Sequence, residues 1–340
     1  MTIGDGEHYV IMGRPESGYS MKARSAMRFK GVPHEWVDRC LANDALFQAH
    51  AKVQLIPLVF LPDGEAIQDS TPILERLERE FPEPSFHPED PALRALSDVL
   101  EEYGDEWGNK LMFHHRWGYP LDQKARSRTL AKGMLGGHPL RIFAPVMARF
   151  VVRRMIPGMA FAGANANNAP LLVESWANLV EMLEAHLSTR AYVFGGRPAF
   201  GDFGLWGQLH QAFLDPTCGE HLREHGPAVV AWIERMLEPK VEGAFETLDT
   251  LRPTLEPIFA REVGPRFLAW DLANERANAA GEAQTELEMD GRLYYQRTFK
   301  YPALTLGILR GKLPPVGAAP ELDAFLASTG CDAARSRADE

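Results

Sequence analysis

The stretch Leu55-Ile56-Pro57-Leu58-Val59-Phe60, followed by Gln68-Asp69-Ser70-Thr71-Pro72-Ile73-Leu74, decides how the first part of this chain folds. An apolar run entered through a proline is a strand that begins there or lies at an edge, because proline has no N–H to give to a ladder. An Ile-Pro bond also reaches the cis form at modest cost, and a fixed cis bond turns the backbone to expose neighbouring N–H and C=O groups. Pro62-Asp63-Gly64 reads as a turn, Ala66-Ile67-Gln68 as a second short strand, and Asp69-Ser70 as the start of a helix. Free N–H groups and the positive dipole end at such a start favour a carboxylate ligand. A strand edge beside an anion-binding helix start makes a site for an extended peptide with a terminal carboxylate.

Outward from this stretch, strand and helix alternate. Glu7 to Met12 reads as a strand and Ser20 to Lys30 as a helix with Ala23, Ala26 and Met27 on one face. Gly31-Val32-Pro33 stops that helix. His34 to Asp38 is a second strand and Asn43 to about His50 a short helix. The two strands flanking Pro62-Asp63-Gly64 form a hairpin. Ile73, Leu74, Leu77 and Phe81 then recur at helical spacing, with Glu75 and Arg79 expected to pair at i, i+4. The order is βαβαββα, a thioredoxin-like arrangement.

Three prolines in Pro82-Glu83-Pro84-Ser85-Phe86-His87-Pro88 break the last helix and mark a linker. Beyond it the pattern is helical, over Pro91 to about Trp117, Leu140 to Met155, Ala169 to Leu187, Phe200 to Leu214 and Ala228 to Leu237. Pro257 to Ala280 reads as one more helix with a break at Pro265. Asp290-Gly291 between Leu287, Met289 and Leu293, Tyr295 is a hairpin signal. The division expected is 1–82, 89–252 and a C-terminal extension over 253–340.

The Ile56-Pro57 and Asp69-Ser70 pairing, at this spacing and followed by a helical domain, resembles the glutathione S-transferase superfamily. The resemblance implies an α/β plus all-α fold: a thioredoxin-like βαβαββα domain, a helical domain, and here a helix and β-hairpin extension it does not cover. It implies glutathione as co-substrate, held by the backbone of Ile56 and Pro57 and, at the γ-glutamyl end, by Asp69 and Ser70, with Gln54 a weaker candidate. It also implies a homodimer.

In the turn Arg14-Pro15-Glu16-Ser17-Gly18-Tyr19-Ser20, Ser17 and Ser20 stand where thioredoxins carry Cys-x-x-Cys, so dithiol exchange is excluded. Ser17-Gly18-Tyr19-Ser20-x-Lys22-x-Arg24 resembles the Ser-x-x-Ser-x-Arg/Lys-x-Arg pattern of zeta-like members, with Gly18 where proline often stands. The resemblance makes Ser17 the catalytic hydroxyl that donates to the glutathione sulfur and favours its thiolate. A plain helix cap is the other reading of Ser17. Tyr19 either supplies the hydroxyl or lines the pocket, and Ser20 is read as a cap.

Tyr103, Trp107, Lys110, His114 and Trp117 share one helical face by their spacing. That face either lines the site of the electrophilic substrate or packs between domains, with Lys110 snorkelling outward. Adjacent His114 and His115 point about 100° apart, which argues against a metal. Phe194-Gly195-Gly196-Arg197-Pro198-Ala199-Phe200-Gly201-Asp202 resembles the family's capping motif. Ala199 replaces its hydroxyl, and Asp202 is left to bind loop N–H groups.

The net charge of −10, from 36 basic and 46 acidic residues, and the lack of a basic block longer than Arg153-Arg154 argue against nucleic acid and membrane partners. No signal peptide or membrane span is read, and Cys40, Cys218 and Cys331 lie apart with no metal or disulfide spacing, which suits a reducing cytoplasm. The function expected is transfer of glutathione to a small hydrophobic electrophile, with isomerisation, dehalogenation or ether cleavage drawing on the same residues. The alternative is a non-catalytic member whose C-terminal hairpin serves binding or assembly.

Overall fold

The computed structural model describes residues 8–335. The first unit is a four-stranded sheet in the order β2-β1-β3-β4, built from β1 (Tyr9–Gly13), β2 (His34–Asp38), β3 (Leu58–Phe60) and β4 (Ala66–Gln68). β1 runs parallel to β2 and antiparallel to β3, and β3 pairs with β4 across the Pro62-Asp63-Gly64 turn. The alternation of β1 sorts its side chains to two faces. Ile11 joins the large core against α1 (Gly18–Phe29) and α3 (Ser70–Glu80), whereas Val10 and Met12 meet Phe47 of α2 (Asp44–His50). Ile73, Leu74 and Leu77 bury the inner face of α3. The i, i+4 pair on this helix is Arg76–Glu80, not Glu75–Arg79; Glu75 is taken instead by Lys312 of the C-terminal region at 2.5 Å.

After the linker, α4 (Pro91–Tyr103) and α5 (Asn109–Gly118) form one rod with a π-helical turn over Gly104–Gly108 between them. Asp90 caps the rod, accepting from the N–H groups of Ala92 and Leu93. Two helices absent from the periodicity follow the same pattern of proline starts: α6 (Pro120–Leu135) and, later, α10 (Pro216–His225). Between them lie α7 (Ala144–Phe161), α8 (Ala169–Leu187) and α9 (Phe200–Phe213), and α11 (Pro227–Arg235) completes the helical unit. α9 is the central helix. Asp202 holds its start, accepting from the N–H groups of Val193 and Ala199 and from Trp232 Nε1, each at 2.9 Å, as the sequence required once Ala199 had removed the hydroxyl.

The C-terminal extension is part of the core. α12 (Leu248–Ile258) runs through a π-helical stretch, Phe259–Leu268, into α13 (Ala269–Ala279); Pro265 lies inside that stretch, so the break expected there is a change of helix type. β5 (Gln284–Met289) and β6 (Arg292–Arg297) form the hairpin, with Asp290 and Gly291 both at positive φ as a two-residue primed turn requires. Leu287 pairs with Tyr294 and Glu288 with Leu293, so Tyr294 and Gln296 face inward and Leu293 outward. α14 (Lys300–Lys312) and α15 (Pro320–Thr329) close the chain. Phe267, Trp270, Tyr294 and Phe325 are fully buried in the same cluster as Tyr103 and Trp107.

Candidate functional site

A cleft of about 360 Å³ opens between the thioredoxin-like sheet and the α4–α5 rod. Its near wall is Val53, Leu55, Ile56, Pro57, Gln68, Asp69, Ser70 and Thr71. The Ile56–Pro57 peptide bond is cis, and the Ile56 N–H and C=O form no backbone hydrogen bond among the described residues. Gln68 sets this edge in place. Its Oε1 accepts from the N–H groups of Lys52 (2.7 Å) and Val53 (3.1 Å), and its Nε2 donates to the carbonyls of Val53 (2.9 Å) and Leu55 (2.8 Å). An amide at the end of β4 thus does the work of a missing ladder.

Asp69 is the residue before α3 and has φ 79°, a conformation that non-glycine residues adopt at a cost. Its side chain makes no capping bond and stands in the cleft wall beside the buried Ser70. The Asp69 carboxylate accepts at Oδ2 from the Tyr301 hydroxyl at 2.5 Å. Gln54 is directed elsewhere: its amide is exchanged with Gln48 and accepts from Arg39, and it does not line the cleft.

Ser17 is the N-cap of α1. Its Oγ accepts from the Ser20 N–H at 3.2 Å, while its own hydroxyl hydrogen has no acceptor among the described residues. Ser17 is not among the residues that line the cleft; Tyr19, two residues on, is. The Tyr19 hydroxyl is committed to the Asp105 carbonyl at 2.8 Å, and burial together with nearby carboxylates raises its pKa, so it stays protonated. Ser20 is not a cap: among the described residues its buried hydroxyl has no hydrogen-bond partner. The turn is held from the helical unit, where Gln211 Nε2 donates to the Pro15 carbonyl (2.8 Å) and Arg116 to that of Glu16 (3.3 Å). Arg116 is itself fixed by buried Asp215, which also takes Arg126.

The far wall is Glu102, Asp105, Glu106 and Asn109 of the rod with Tyr301 and Thr305 of α14. The spacing of Tyr103, Trp107 and His114 left them either here or in a packing face. Tyr103 and Trp107 point into the core, Tyr103 against Phe267 and Trp107 against Trp270 and Tyr294, with Trp107 Nε1 donating to Ser175. His114 is buried beside His115 and Tyr119. The reason is what covers that face: Phe267, Trp270 and Tyr294 of the C-terminal extension pack on it, while Glu102, Asp105, Glu106 and Asn109, also at helical spacing, form the face left to the cleft. Lys110 is buried rather than snorkelling: its Nζ donates to Gln296 (3.0 Å) and lies 3.5 Å from the Trp270 ring centre, and burial lowers its pKa to about 8.

Lys22 binds the two units together under this wall. Fully buried, it pairs with Glu101, with Asp105 at 2.6 Å and with Thr71 at 3.2 Å. One ammonium between two carboxyls holds Lys22 charged and leaves the second carboxyl to burial, which pushes Asp105 upward. Burial and neighbouring carboxylates raise Glu102 and Glu106 as well. The wall therefore holds its protons more tightly than exposed acids do.

Residues 16–80 match the family model of the glutathione S-transferase N-terminal domain, and residues 145–235 that of the C-terminal domain. Both matched segments are those of the glutathione S-transferase superfamily. Among its relatives, a probable glutathione S-transferase of Solanum tuberosum is 32% identical over 100 residues, covering 29% of this chain and 46% of that protein. Glutathione S-transferase U6 of Arabidopsis thaliana is 29% identical over 109 residues, 31% of this chain and 47% of that one. The chain thus spans about half the length of the curated relatives it matches. Two solved structures are similar: a Tau class glutathione S-transferase from mango, Mangifera indica (16% identity, TM-score 0.40, 67% and 88% of the two chains), and a glutathione S-transferase-like protein from Pseudomonas syringae (18%, 0.45, 68% and 67%). Within the superfamily fold, the extension's supply of Tyr301 and Thr305 to the cleft carried no local sequence signal.

Proposed function

We propose that the chain is a serine-type glutathione transferase-like enzyme, which binds glutathione along Ile56–Pro57, holds the γ-glutamyl end at Asp69 and Ser70, and activates the thiol through Ser17. The observation that carries this reading is the conjunction at one cleft of an unpaired Ile56 backbone and an Asp69 whose strained backbone withholds its carboxylate from capping the helix. An extended peptide pairs with the first, and its ammonium meets the second. Ser17 supports the chemistry because its lone pair serves the helix while its hydrogen is left to donate. A hydrogen bond to a charged acceptor is worth about 1.5–3 kcal/mol, which would lower a bound thiol by about one to two pKa units. The α1 start adds a smaller favourable contribution to the thiolate. Tyr19 is part of the pocket in this reading, not the donor.

The thiolate then adds to a small hydrophobic electrophile lying against Val53, Leu55 and Tyr19, the apolar part of the cleft. The protein is read as a homodimer that takes no metal. Calorimetric titration of glutathione into wild type and Ser17→Ala, with thiolate absorbance followed on the same samples, tests the assignment. The expected result is binding by both with the thiolate signal lost in the variant. Equal thiolate in the two would reduce Ser17 to a helix cap.

A further inference from the structure

Residues 123–173 contain eight basic residues and not one of the chain's 46 acidic residues. In the fold this segment is a helical hairpin, α6 and α7 joined by a short 3-10 turn at Pro139–Phe143. Its outer face is apolar as well as basic. Ile142 is 77% exposed, Val146 62%, Phe150 58% and Phe143 54%. Phe143, Val146, Phe150, Pro157 and Phe161 follow one another at offsets of 3, 4, 7 and 4, which is a single stripe along the helix. Arg149 and Arg153 border it on one side and Arg154 on the other, and none of them, nor Arg141, has an ion-pair partner among the described residues. Arg297 of β6 lies over the Phe161 ring at 5.5 Å and extends the basic border to the end of the stripe.

We propose that the outer face of the α6–α7 hairpin docks on a bilayer surface containing anionic lipid, with Phe143, Val146 and Phe150 entering the headgroup boundary and the arginines on the phosphates. An exposed apolar stripe edged by arginine is the pattern of helices that lie in that interface, and guanidiniums there keep their charge in water while their stems cover apolar surface. No described helix is long and apolar enough to cross a membrane, so the contact is peripheral. A second copy of the chain is the poorer occupant: a two-fold contact would set this stripe on itself and bring Arg149, Arg153 and Arg154 together with no acid between them. Nucleic acid would use the arginines but leave the phenylalanines in water. The net charge of −10, which argued against a membrane, conceals this face because the acidic residues lie in the rest of the chain.

The test is co-sedimentation of the full chain with vesicles of phosphatidylcholine alone or with about one-third phosphatidylglycerol. Near an anionic surface each basic residue contributes roughly fivefold in affinity, so the expected preference for the anionic vesicles is at least tenfold and is lost in high salt. Arg153→Glu with Arg154→Glu is expected to abolish it, and Val146→Ser with Phe150→Ser to weaken it on both vesicles. Unchanged melting temperature and glutathione binding in these surface variants show that the fold persists. Equal binding to both vesicles, or none, overturns the proposal. So does a wild-type dimer that Val146→Ser with Phe150→Ser dissociates, which gives the face to a second copy, or equally tight binding of an oligonucleotide, which makes it a general polyanion site.

Discussion

Asp69 joins the strained entry of α3 to the wall of the cleft. A φ of 79° at a non-glycine position costs about 1–3 kcal/mol, and the helix it precedes receives no side-chain cap in return. Asparagine is nearly isosteric with aspartate and asks the same of this backbone. Asp69→Asn is therefore expected to leave the melting temperature close to wild type. Its glutathione affinity should fall roughly ten- to hundredfold, the worth of a charge-assisted hydrogen bond. Calorimetry on the two proteins checks this, and unchanged affinity would remove Asp69 from the site. Asp69-Ser70 was legible because a helix start after a short strand has a local signature. Tyr301, whose hydroxyl meets the Asp69 carboxylate, was not: 232 residues separate them, and only the folded extension brings them together.

At the scale of elements, the sheet and its helices could be read nearly residue by residue because turn chemistry and alternation both act locally. Pro62-Asp63-Gly64 made the first hairpin and Asp290-Gly291 the second. The far wall of the cleft could not be read. Glu102, Asp105, Glu106 and Asn109 present one helical face to the cleft while the extension covers the face of Tyr103 and Trp107, and no local pattern tells which face a distant segment will cover. The near wall offers a sharper test. Gln68 fastens residues 52–55 by four hydrogen bonds, so Gln68→Leu should loosen the peptide-binding edge without touching the thiol. KM for glutathione is expected to rise several-fold with kcat little changed, and steady-state kinetics at varied glutathione would show it.

The whole molecule buries an unusual set of acids and histidines, which fixes how its stability depends on pH. Burial raises Asp202 to about 6 and Asp98 and Glu262 to about 7. It lowers His87, His114, His186 and His210 to about 4. His87 and Asp98, 3.9 Å apart, are thus each driven toward the neutral form rather than into an ion pair. Each raised acid holds a proton in the folded chain that the unfolded chain has lost, so its stabilisation is present at low pH and disappears as pH rises through 6 to 7. Each lowered histidine acts oppositely, adding stability as pH rises from about 4 to 6.5. The two groups offset one another up to about pH 6.5, and above it only the acids remain. Melting temperature is expected to fall from pH 6.5 to 8, and a rise over that range would contradict the burial of these groups. The extension's place in the core, through Phe267, Trp270, Tyr294 and Phe325, makes it a structural part of this balance and of the cleft. Whether glutathione lies in that cleft with its sulfur at Ser17 is decided by a crystal structure of the glutathione complex. The expected complex has the cysteinyl backbone paired with Ile56, the γ-glutamyl ammonium on Asp69 and the sulfur within hydrogen-bond reach of Ser17 Oγ. Glutathione bound with its sulfur remote from Ser17, or absent from the cleft at saturating concentration, would contradict it.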